Sequence, residues 1–160
     1  MIRDRDDRGR PRQARPRDAL GRPLPYGAAG EPPIEETPLD PAATVARARE
    51  MLADGRPFAA HETFEVAWRH RPAQERELWQ GLAQVCAGLT HAARGNAVGA
   101  ATLMARGQDL ISRYADRGGP TYGLDLDALR GAHERARERA HQPAGGSPDQ
   151  DPSATTSGVG

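Results

Sequence analysis

The 160-residue sequence has no lysine and one cysteine, Cys86. A lone cysteine excludes a disulfide scaffold and a four-thiolate zinc site. Aromatic residues make up only 4% of the chain. The longest apolar run, Val98 to Ala105, already contains Gly99 and Thr102. It falls far short of the ~18 residues that a membrane-spanning helix needs, so no membrane span is expected. The start, Met-Ile-Arg-Asp-Arg-Asp-Asp, lacks the apolar core of a secretory signal, and a cytoplasmic location is expected. Net charge is also absent, with 22 arginines against 22 acidic residues, which argues against a generally basic nucleic-acid binder.

The zero is a sum of unlike parts. Residues 1–22 hold eight arginines and four aspartates, whereas residues 23–40 hold Glu31, Glu35, Glu36 and Asp40 with no arginine. Seven prolines lie between Pro11 and Pro38 with few aliphatic residues among them. Such a stretch buries too little apolar area to offset the roughly 1–2 kcal/mol per residue of backbone ordering. Residues 1–38 therefore read as an extended Arg/Pro-rich leader. Leu20, Leu24 and Tyr26 could hold its segment near 14–27 against a folded body. Residues 141–160 carry only Val159 as a sizeable aliphatic side chain and read as a disordered tail. Arginine without lysine, beside abundant alanine and glycine, fits a high-GC coding bias and says little about phosphate binding.

Residues 39–140 form the folded domain. Asp40-Pro41 starts a first helix carrying Val45, Ala48 and Leu52, and Gly55 stops it. A second runs from Pro57 to about His70, closed by Pro72. A third begins near Ala73 and carries the stripe Leu78, Leu82, Val85, Leu89. Gly95-Asn96 stops it and caps a fourth, over about 97–116. After Gly118-Gly119-Pro120, Asp125 or Asp127 caps a fifth that reaches about Ala140. The fold class is all-α: a compact antiparallel bundle of about five helices with an extended N-terminal leader and a disordered C-terminal tail.

One face of the second helix stands out. Phe58, His61, Glu65 and Trp68 lie on one stripe, where a core-facing helix would carry four apolar side chains. A buried glutamate needs a partner, and a protonated His61 one turn away is the nearest. Glu62 lies one residue off the stripe, so the two carboxylates could converge on one ligand. The third helix offers Gln80, Gln84 and His91 as a polar line of its own. His-Glu-x-x-Glu matches only the first half of the zincin pattern, because position 65 is glutamate where zinc needs histidine. A divalent metal held by His61 and Glu65 is thus an alternative, and no cofactor is expected. No nucleophile elbow, phosphate-cradling glycine loop or dinucleotide fingerprint occurs. The plainer account is a His–Glu pair and a tryptophan that set the register of two helices.

Taken in order, Ala60-His61-Glu62-x-x-Glu65-x-x-Trp68-Arg69, Gln80-Gly81-Leu82-Ala83-Gln84, Arg94-Gly95-Asn96-Ala-Val-Gly99-Ala100 and Gly123-Leu124-Asp125 resemble the domain of unknown function 309 family. The resemblance covers roughly 41–135, and the leader from Ala14 to Pro25 resembles leaders on some members from high-GC bacteria. It implies a compact all-α bacterial domain without assigned chemistry. It points to His61, Glu62, Glu65, Trp68, Gln80 and Gln84. The chain departs from the family at Val98-Gly99, where proline-glycine is common. The leading expectation is a non-catalytic or small-ligand-binding helical module. Two alternatives are a metal-assisted or general acid–base hydrolase-like enzyme using His61, Glu62 and Glu65, and an interaction protein whose Arg-rich leader meets an acidic partner. Partners are otherwise open, a homo-oligomer included, and nucleic acid is disfavoured because residues 1–22 offer no aromatic ring for base stacking.

Overall fold

The computed structural model describes residues 15–141, except the side chains of 132, 133, 136, 137 and 139–141. The leader up to residue 14 and the tail read as disordered from 142 on lie outside the described residues. Five α-helices follow one another: α1 Pro41–Ala53, α2 Pro57–His70, α3 Arg76–Ala93, α4 Ala97–Asp116 and α5 Leu126–His141. Among the described residues the only strand-like pairing is an isolated antiparallel bridge between Arg17 and Pro23.

Local chemistry sets each boundary. The Asp40 carboxylate accepts from the Ala43 amide at 3.1 Å, and Gly55, at φ +71°, ends the α1 turn. Arg71 stands before Pro72 with ψ 160°, the extended backbone that proline imposes on its predecessor, so α2 stops there. The third helix starts as a single 3-10 turn over Ala73–Glu75 before continuing as α3. Asn96 accepts from the Gly99 amide at 2.9 Å, and Asp125 accepts from Ala128 at 2.8 Å. Of the two candidate caps of α5, Asp125 is therefore the one used.

Helices α2, α3 and α4 lie side by side as a layer. The α2/α3 seam is filled by Phe64 and the fully buried Trp79, whose rings are 6.2 Å apart. At the α3/α4 seam two backbones touch: a Cβ on Gly81 would stand 2.8 Å from the Gly107 carbonyl oxygen. Helices α1 and α5 cover one side of this layer. Val45 and Leu52 of α1, Leu82, Val85 and Leu89 of α3, and Leu124 and Leu129 beside α5 surround one apolar cleft of about 340 Å³. The Arg49 guanidinium donates to the Gly123 carbonyl at 3.0 Å and ties α1 to the start of α5.

The described part of the leader forms a tight loop docked on the other side. Its backbone closes through Leu24 N to Pro16 O at 2.7 Å and Gly21 N to Asp18 O at 2.8 Å. The Asp18 carboxylate accepts from the amides of Leu20 and Arg22 and from the Arg22 guanidinium. Gly21 is buried flat against Phe58, where any Cβ would fall inside the ring. Arg94, after α3, donates to the Leu20 carbonyl at 2.8 Å, and Arg56 pairs with Glu31 at 2.5 Å. Residues 33–39 then run along α1 and α2 as an extended strap.

Candidate functional site

Helix phase decides where the polar residues go. On α2, Ala60, Phe64 and Ala67 are buried toward α3, and Thr63 turns toward α1, its hydroxyl 3.3 Å from the Met51 sulfur. At about 100° per residue, His61, Glu65 and Trp68 then lie on the side away from α1. On α3, Gly81 and Gly88 meet α4, Trp79 meets α2, and Leu82, Val85 and Leu89 face the α1/α5 cleft. That leaves Gln80, Gln84 and His91 on the side of α3 away from the α1/α5 cleft, with Gln84 turned toward α4 beside Gly81 and Gly88. Phe64 and Trp79 sit opposite each other, so Gln84 and His61 stand within about 3 Å of the same axial level. The structure thus places His61, Glu62, Glu65 and Trp68 of α2, and Gln80 and Gln84 of α3, away from the α1/α5 cleft, on the side where the leader docks. All six side chains are half-buried.

His91 lies apart. Its Nδ1 is 2.9 Å from the Asn96 amide nitrogen, so it belongs to the turn between α3 and α4.

His61 Nε2 is 3.3 Å from Glu65 Oε1, with the two side chains 21% and 37% exposed. Burial pulls the imidazole pKa below its ordinary value, and the attraction of Glu65 offsets this only in part. The protonated His61 expected as the glutamate's partner is therefore replaced by a neutral ring, because desolvation outweighs one half-exposed carboxylate. A carboxylate can only accept, so Nε2 carries the ring proton and Nδ1 is left as a bare acceptor. That Nδ1 is buried and has no hydrogen-bond partner. The Gln84 side-chain oxygen is buried and unpartnered in the same way. Burial also raises the Glu62 pKa; Arg17 opposes the rise, Glu65 adds to it and Arg69 opposes it. Arg17 comes from the docked leader, its guanidinium 5.7 Å from the Phe58 ring centre and bonded to the Gly21 carbonyl at 2.5 Å.

Among the described residues no three His, Cys, Asp or Glu side chains are grouped to hold a metal ion. Cys86 is buried in the core, its thiol pushed up to about 12 by desolvation, and so carries no thiolate near neutrality.

A second polar cluster escaped the sequence reading. Glu75 accepts from the Trp79 indole at 2.8 Å and from the Tyr122 phenol at 2.5 Å, and the Trp79 and Tyr122 rings stack at 5.7 Å. Tyr122 adopts φ +51°, which turns the loop before α5 back onto α3. The Glu75–Trp79 half, four residues apart, was legible in principle; the Tyr122 half joins residues 47 apart and was not.

The fold defines an all-helical domain that carries the His61–Glu65 pair on one face of α2. Residues 45–103 match the family model described as a domain of unknown function (DUF309). No curated protein and no solved structure matches the chain. Among the described residues no helix is long and apolar enough to cross a membrane.

Proposed function

We propose that this DUF309 domain is a non-catalytic module that binds a small polar ligand on the α2/α3 face. One observation carries the reading: His61 Nδ1 and Gln84 Oε1 are buried without partners on adjoining helices. Each such atom costs about 1–3 kcal/mol unless something supplies the missing hydrogen bond. A polar molecule bound on this face would supply the missing hydrogen bonds. The module belongs in the bacterial cytoplasm on the strength of the family resemblance and its single, buried thiol.

A second reading, general acid–base chemistry by His61, Glu62 and Glu65, is supported by the opposed shifts: Glu62 is pushed toward its protonated form and His61 toward its neutral one. The reading of the leader as a contact for an acidic partner has less support. Arg22 is paired with Asp18, Arg17 lies on Phe58, and Arg15 bonds the Leu24 carbonyl and overlies Tyr26.

Saturation-transfer NMR with a panel of small hydrogen-bonding fragments tests the ligand reading. Fragments should bind wild type and lose binding in both His61→Ala and Gln84→Leu, with the fold of each variant checked by circular dichroism. A panel in which no fragment depends on either residue refutes the proposal.

A further inference from the structure

We propose that the cavity beneath the strap of residues 33–39 binds a free α-amino acid with an apolar side chain. The site is separate from the α2/α3 face, for it lies where α1 and α2 meet, on the side of α2 that carries Thr63 and Val66. Thr44, Arg47 and Met51, at helical spacings of three and four, form its α1 wall. The strap closes over both helices, with Ile34 packed against the core and Glu35 lining the cavity beside it. The space is about 440 Å³, within the ~300–1,000 Å³ usual for small-molecule sites.

Floor and rim differ in chemistry. The Thr63 hydroxyl donates to the Ala59 carbonyl at 2.9 Å and the Thr44 hydroxyl to the Asp40 carbonyl at 2.9 Å, so each spends its one proton within its own helix. With Met51 and Val66 buried beside them, the floor offers an occupant apolar contact and no donor. The two charged side chains that line the cavity are exposed and opposite in sign, Glu35 on the strap and Arg47 on α1. Among the described residues Glu35 has no ion pair or hydrogen bond. Arg47 meets only Glu50, at 3.4 Å with side chains 55% and 67% exposed, a surface pair weak enough to be exchanged. An amino acid fits this division: its ammonium faces Glu35, its carboxylate faces Arg47, and its side chain lies on Met51 and Val66. A simple amine would leave its charge against Arg47, and a simple carboxylate against Glu35. The strap also supplies the way in. It is held at its ends, where Arg56 pairs with Glu31 at 2.5 Å and Arg71 donates to the Leu39 carbonyl. Among the described residues no amide from Ile34 to Leu39 donates to a main-chain carbonyl, so the strap lifts without breaking a backbone hydrogen bond.

The test uses the full chain with ¹³C-labelled methionine methyl groups. Met51 lies in the cavity, and Met104, at the α3/α4 seam, serves as the control. L-Leucine or L-phenylalanine should shift the Met51 methyl in a saturable way and leave Met104 in place. 3-Methylbutylamine, 4-methylpentanoate and glycine lack in turn the carboxylate, the ammonium and the apolar body, and each should bind about tenfold or more weakly than leucine. Glu35→Gln and Arg47→Gln, both at exposed positions, should lose amino-acid affinity by a similar factor with little change in melting temperature. No saturable Met51 shift with either amino acid overturns the proposal. So does binding of the amine, the carboxylate or glycine as tight as that of leucine, or undiminished binding by the two variants. Fragment binding that depends on His61 is read at other residues, so either reading can fail without the other.

Discussion

Replacing Gly107 with alanine probes the close approach of α3 and α4. The added Cβ would stand 2.6 Å from the Gly81 carbonyl oxygen and 3.0 Å from the Val85 amide nitrogen, both backbone atoms that no rotamer change can move. Carbon–oxygen contacts settle at ~3.3–3.6 Å, so α3 and α4 must part by roughly 0.7–1 Å. That gap forfeits about a quarter to a half of the dispersion energy along the seam, where Gly88 lies against Met104 and the Ala100 carbonyl. Overpacking of this kind costs about 1–3 kcal/mol, against the ~0.8–1.0 kcal/mol that alanine gains over glycine within a helix. The balance is a loss of up to about 2 kcal/mol, a fall in Tm of up to roughly 8 °C. Urea unfolding followed by circular dichroism measures it. Gly81→Ala meets the same obstacle from the other side, so the double variant should cost less than the sum of the singles, one separation serving both. A Gly107→Ala protein more stable than wild type by the full helix-propensity gain of ~0.8–1.0 kcal/mol would refute the contact.

Two further outcomes follow from the proton equilibria. The folded-state pKa of His61 lies below its unfolded value near 6.5, so its contribution is complete above that pH and is lost as the pH falls through 6.5 toward the folded value. Glu62, with its pKa raised above 4.5, works in the opposite sense and offsets part of the loss at the lower end. Melting temperatures measured from pH 7 down to 5 should fall in wild type, fall more steeply in Glu62→Gln and fall least in His61→Gln; equal slopes in all three proteins would contradict a desolvated His61. The Tyr122 phenol is pushed from 10 up to about 12 by its bond to Glu75, so stability should drop between those values as the unfolded chain ionises first. Tyr122→Phe should lessen that alkaline slope, with Cys86 and Tyr114 supplying the rest, and an unchanged slope would show the Glu75 bond to be absent.

Much of the fold was legible because its punctuation is local. Asp40-Pro41, the Pro57 start, the Pro72 stop, Gly95-Asn96 and Asp125 each act within one turn of chain, and each works where it was read. The one adjustment, a 3-10 turn ahead of α3, lies at an end where no side chain caps the first turn. The spacing of His61, Glu65 and Trp68 on one face is likewise fixed by the helix itself. Whether that face is core, surface or groove is another matter: it depends on α1 and α5 both choosing the opposite side of the layer, which no local pattern encodes.

The amino-acid sequence by itself determined five helices, their ends and the order of polar and apolar faces around each, because hydrogen bonds within a turn and the 3.6-residue period need no distant partner. Tertiary structure alone decided the desolvation of His61, the glycine contact between α3 and α4, and the lock of Tyr122 on Glu75. The leader's hold on Phe58 and Arg94 belongs with these, for Arg94 and Leu20 are 74 residues apart. The physical reason is common to all of them. Desolvation and van der Waals contact depend on what finally covers an atom, and that is set by segments far away along the chain.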